Sequence, residues 1–156
     1  MRSLLVALLL LITIAPPAYA AISEADAKYA KAAGKATEDF SKAIGDWGNT
    51  YQIAPNKVNS AEYKSWMKDA INADKAVKET LNQFSKIKVS KGYKKSDVTL
   101  RKFIKAYSAA IDLYAPAIKK NDKRLVQKAN DALVAATTLF TNWGYEFAKD
   151  SSALVQ

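Results

Sequence analysis

The chain contains neither cysteine nor histidine. Without thiolate or imidazole it cannot build a Ser-His-Asp or Cys-His catalytic site, an ordinary zinc site, a c-type haem attachment or the Glu-x-x-His motifs of di-iron bundles. Oxygen-only ligation of a hard cation and carboxylate or lysine chemistry survive this exclusion, and neither leaves a motif here. No metal, cofactor or catalytic residue is therefore expected. Disulfides are excluded too, so the fold must stand on packing alone, and an acylated cysteine anchor is excluded with them. Glycine and proline are scarce, at 5 and 4 of 156 residues, which leaves long stretches free to be helical. There is no Asn-x-Ser/Thr acceptor and no apolar C-terminal tail.

No apolar run reaches the roughly 20 residues that a membrane span needs. The longest, Leu4 to Ala15, is broken only by Thr13. Met1-Arg2 before it, Pro16-Pro17 after it and Ala18-Tyr19-Ala20 at its end have the form of an export signal, with the mature chain starting at Ala21. The expected organisation is a signal peptide at 1–20, a helical domain at 21–150 and a flexible tail at 151–156, with no transmembrane segment after cleavage. The expected location is the periplasm, cell wall or medium of a bacterium or archaeon.

Four segments carry helical periodicity. Tyr29, Ala33, Ala36, Phe40, Ala43 and Trp47 recur at alternating steps of four and three, after the capping-box-like Ser23-Glu24-Ala25-Asp26, and predict a helix over 23–52. Trp66, Ala70, Ala73, Val77, Leu81 and Phe84 predict a second over 60–87, capped by Asn59 or Ser60. A third starts at Ser96 or Asp97 and buries Leu100, Phe103, Ile104, Tyr107, Ile111, Tyr114 and Ile118; Pro116 either kinks it or ends it near Tyr114. The fourth follows Asn121-Asp122 and runs to about 149 through Leu125, Ala129, Leu133, Ala136, Phe140, Trp143 and Phe147. Short connections favour antiparallel neighbours, so the expected fold is an all-α, up-down-up-down four-helix bundle. Asp46-Trp47-Gly48 and Asn142-Trp143-Gly144 echo one another, a match too short to define a repeat.

Charge is the most suggestive feature. The formal net charge is +9, and residues 88–128 hold twelve basic residues against three acidic ones. Lys86, Lys88, Lys91, Lys94, Lys95, Arg101, Lys102 and Lys105 would surround a helix N-terminus and form an anion-docking surface. The partners such a surface suits are an anionic envelope polymer, lipid headgroups or an envelope protein. No nucleic-acid motif accompanies the lysines, and export argues against that partner. Lysines that only keep the bundle soluble are the plainer reading.

Trp47, Tyr51, Tyr63, Trp66 and Tyr114 gather at the opposite end, as a small-ligand pocket or as an ordinary core layer. Among carboxylates, Glu38, Asp39, Asp74 and Glu79 are the candidates for catalysis. Asp74 alone of these lies close to an apolar seam, with Lys75 or Lys78 as a structural partner. The function expected from these features is a non-catalytic exported interaction module, with a carrier of small apolar ligands as the alternative.

Overall fold

The computed structural model describes residues 22–58 and 60–155. The predicted signal segment, the proposed start at Ala21 and the possible cap Asn59 lie outside the described residues. Four helices follow in order: α1 over Glu24–Gln52, α2 over Ala61–Lys86, α3 over Lys94–Lys119 and α4 over Lys123–Ala153. At 1.5 Å per residue they are rods of roughly 39 to 46 Å.

Local chemistry explains most of the boundaries. Ser23 Oγ accepts the Asp26 N–H and Ser60 Oγ accepts the Tyr63 N–H, so each hydroxyl satisfies one of the orphan donors of a helix start. Asp122 accepts from the N–H groups of both Arg124 and Leu125. Just before it Asn121 takes the left-handed conformation, φ 49°, which reverses the chain between α3 and α4.

Three expectations are corrected. The third helix starts at Lys94, two residues before Ser96, because the 3-10 turn Lys91–Tyr93 leads directly into it. Ser96 and Asp97 consequently lie inside the first turn, and both are buried. Nor does that helix end near Tyr114: it continues through Pro116 to Lys119. Finally, the tail expected at 151–156 is helical through Ala153, since Ser151 is buried and its hydroxyl lies 3.0 Å from that of Tyr93.

The start of α1, the end of α2, the start of α3 and the end of α4 meet at one end, and the reverse ends meet at the other. The fold is the expected all-α, up-down-up-down bundle. Backbones approach closely between α1 and α2, α2 and α3, and most extensively between α3 and α4. Fully buried Ala110 and Ala117 on α3, with Ala129 and Ala136 on α4, permit this last approach. By contrast α1 meets α3 and α4 through rings. Phe40 lies 5.3 Å from Phe103, 5.0 Å from Tyr107 and 5.4 Å from Phe140, centroid to centroid. Phe84 and Trp143, 5.7 Å apart, join α2 to α4. Offset and edge-on ring pairs of this kind contribute about 0.5 to 1.5 kcal/mol each beyond their buried area. Among the described residues no helix is long and apolar enough to cross a membrane.

Candidate functional site

The basic end is organised around two carboxylates that periodicity did not mark. Asp26 and Asp97 are 6% and 8% exposed, more withdrawn from water than the half-buried Asp74. Asp26 Oδ2 accepts from Ser23 Oγ at 2.5 Å, and its Oδ1 accepts the Gly92 N–H at 3.0 Å. The chain crosses so closely there that a Cβ on Gly92 would stand 2.7 Å from Asp26 Oδ1 and 2.8 Å from Leu154. The Ser23 hydroxyl holds the Asp26 pKa below the ordinary carboxylate range. The Gly92 N–H helps, the Ser90 hydroxyl adds a pull from outside strict hydrogen-bond geometry, and burial opposes all three.

Asp97 is held by Arg101. Arg101 Nη2 reaches Asp97 Oδ1 at 2.9 Å and Arg101 Nε reaches Oδ2 at 3.1 Å, a bidentate pair, while Tyr29 OH donates to Oδ1 at 3.1 Å. The same guanidinium donates to the carbonyls of Phe84, Ser85 and Ile87 at 2.8 to 3.2 Å. It thereby closes the C-terminus of α2, where free carbonyls attract a cation. Burial, with Asp97 alongside, pushes the Tyr29 phenol well above its usual range. Tyr29, Tyr93 and Phe147 stack beneath this network, with Tyr93 4.8 Å from each of the other two.

Arg101 is therefore corrected from a docking cation to a structural clamp. The rest of the predicted cluster faces outward: Lys86, Lys88, Lys91, Lys94, Lys95, Lys102 and Lys105 are all exposed. None of them forms an ion pair among the described residues, where the pairs present use other lysines and Arg101. Beside them a half-open groove of about 650 Å³ runs between the start of α1 and the end of α2, its walls including Lys28, Lys86, Lys88, Ile87 and Val89.

At the other end the five predicted aromatics do come together, packed against one another and buried. Trp47 lies 4.6 Å from Tyr51 and 4.8 Å from Tyr114; Tyr51 lies 5.6 Å from Trp66, and Trp66 lies 5.5 Å from Tyr63. Trp66 Nε1 donates to the Thr50 carbonyl at 2.8 Å, and Tyr114 OH donates to Asn130 Oδ1. Burial pushes the Tyr114 phenol up to about 12. The rings fill the space between the helices themselves, the arrangement of a core layer.

Asp74, half-buried beside this layer, accepts from Trp47 Nε1 at 2.8 Å and from Tyr51 OH at 3.0 Å. Burial raises its pKa, and those two donors only partly offset the rise. The lysines expected as its partners are engaged elsewhere: Lys75 pairs with Glu79 at 3.9 Å, and Lys78 pairs with Asp112. Asp39 pairs with Lys35 at 2.5 Å, and Glu38 is exposed. Of the four carboxylates weighed for catalysis, Asp74 and Glu79 line one open surface groove with Lys75 and Lys78, and Glu38 and Asp39 lie outside it. Among the described residues no group of three or more acidic side chains is placed to hold a metal ion.

Residues 35–143 match the family described as Domain of unknown function (DUF7018). The chain belongs to this family. The matched stretch contains the Arg101 clamp and the whole aromatic layer with Asp74, while Asp26 and Ser151 lie outside it. No curated protein and no solved structure matches the chain.

Proposed function

We propose that the protein is an exported, non-catalytic helical module that docks on an anionic envelope component, polymer or lipid headgroup, through the end where α3 begins. The observation that carries this reading is a segregation of charge. At that end Asp26 and Asp97 are turned inward and consumed by hydrogen bonds, while seven lysines point outward without acidic partners among the described residues. Lysines that served only for solubility would be expected to alternate with exposed acids, as they do along α1, where Lys28, Lys35 and Lys42 pair with Glu24, Asp39 and Asp46. A polyanion meeting the lysine face releases counterions and gains attraction from several charges at once. The export half of the reading is supported by the residue pattern of 1–20.

The test is binding to soluble polyphosphate and to vesicles with and without anionic lipid across a salt series. Wild type is expected to bind both anionic probes and to lose most binding between 0.1 and 1 M salt, as the Debye length shrinks from about 10 to about 3 Å. Reversing Lys91, Lys94, Lys95 and Lys102 to Glu should abolish it. Reversing Lys57, Lys64, Lys119 and Lys120 at the other end changes net charge equally and should leave most binding intact. Equal loss in both variants would reduce the attraction to net charge and overturn the site.

A further inference from the structure

Between Asp131 and Glu146, α4 carries no charged side chain for almost four turns, in a chain whose net charge is +9. Its outer surface there is exposed and partly apolar. Val134 is 67% exposed and Tyr145 70%, with exposed Thr138 and Asn142 between them. At 3.6 residues per turn these four positions fall along one side of the helix, and Asp131 and Lys149 flank the stripe on the same side.

We propose that this face of α4 joins two copies of the chain in a two-fold symmetric dimer, with the two α4 helices antiparallel. Two strongly positive copies repel wherever lysine meets lysine, so the uncharged face is where they approach at least cost. A two-fold axis midway between residues 134 and 145 sets Tyr145 against the partner's Val134, and the symmetry repeats that contact at the other end. Residues 131 and 149 lie almost equally far from that axis, so the same alignment brings Asp131 beside the partner's Lys149. Within its own chain neither forms an ion pair among the described residues; Asp131 accepts only from Gln127 Nε2, at 2.8 Å. A parallel alignment would instead set Asp131 against Asp131 and Lys149 against Lys149. The stripe from 131 to 149 is about 27 Å long at 1.5 Å per residue. One helix pair of that length falls at the small end of specific interfaces, below about 1,200 Å², so the dimer should be weak, with Kd in the micromolar range.

Sedimentation equilibrium of the purified protein, without added polymer, tests this over about 5 to 500 μM, a range that brackets micromolar affinity. The mean mass should rise with concentration from that of one mature chain toward twice that value. Tyr145→Arg should remove the concentration dependence. Asp131→Lys and Lys149→Asp should each weaken association about tenfold, and the two together should restore it, because the pair is re-formed with its signs exchanged. These residues lie on the surface, so circular dichroism should show unchanged helix in every variant. A wild type that stays monomeric throughout, or a Tyr145→Arg variant that associates like wild type, overturns the proposal. Failure of the exchanged pair to restore what the single changes lose overturns the antiparallel geometry.

Discussion

At one end of the bundle Asp26 and Asp97 face hydroxyls, a backbone N–H and a guanidinium; at the other, Asp74 faces an indole N–H and a phenol. The difference sets the pKa of Asp26 and that of Asp74 in opposite directions. Hydrogen bonds outweigh burial at Asp26 and lower its pKa, whereas at Asp74 burial outweighs two donors and raises it. Hydrogen bonding alone does not decide the charge state of a withdrawn carboxylate; the balance between the donors it receives and the water it loses does. The two ends also pack their rings differently. At the basic end Tyr29, Tyr93 and Phe147 stack beneath the polar network, and at the other the rings of Trp47, Tyr51, Trp66 and Tyr114 meet edge-on or tilted.

The largest expected effect tests the aromatic end. Trp66 is 4% exposed and touches the rings of Tyr51 and Tyr63, so Trp66→Ala should cost about 3 to 5 kcal/mol in urea unfolding. A loss below about 0.5 kcal/mol would place it with surface residues and break the assignment of these rings to the core.

Next comes the clamp. Removing one partner of a buried ion pair costs about 3 to 5 kcal/mol, but the Arg101 side chain is 36% exposed and water replaces part of what is lost. Arg101→Met should therefore cost about 2 to 3 kcal/mol, including the loss of its bonds to the Phe84, Ser85 and Ile87 carbonyls. Its exposed neighbour Lys102, changed to Met, should stay within about 0.5 kcal/mol. Equal effects at the two positions would return Arg101 to the docking surface.

The smallest effect is the sharpest test of the contrast. Asp26 gives up its proton at lower pH in the folded chain than in the unfolded one, so its carboxylate stabilises the fold above about pH 4, and that contribution fades as pH falls through the folded value. Asp74 works in the opposite sense. Its contribution is fully present below about pH 4 and is lost as pH rises through the raised folded value. Urea unfolding at pH 7, 5 and 3.5 should show the advantage of wild type over Asp26→Asn shrinking with acidification. Against Asp74→Asn, wild type should gain over the same series. Slopes of the same sign would mean that the two ends do not treat their carboxylates differently.

Much of this was legible in the residues, because helix periodicity is local. The stripes through Phe40, Trp66, Tyr107 and Trp143, and the caps Ser23, Ser60 and Asp122, are set by spacing and by side chains a few positions away. The two copies of the short Trp-Gly echo sit in different surroundings: Trp47 donates to Asp74, while the buried Trp143 Nε1 has no hydrogen-bond partner among the described residues and packs against Phe84 and Phe147. The lysine cluster was visible as composition, but Arg101 looked like one more member of it. Nothing local separates it from Lys102; its carbonyl partners lie 14 to 17 positions back.

By itself, then, the sequence determined the helices, their antiparallel order and the excess of positive charge, since each follows from local spacing, connection length or a count of side chains. Tertiary structure alone decided that Ser151 belongs to the core, that Asp26 and Asp97 are inside while the lysines are outside, and that Arg101 is a clamp. Each of these depends on groups far apart in the chain, such as Tyr29 with Asp97, 68 positions on, and Asp26 with Gly92, 66 positions on. Such contacts exist only once packing has excluded water between the helices, and periodicity along one helix carries no record of which polar atom on another will meet it.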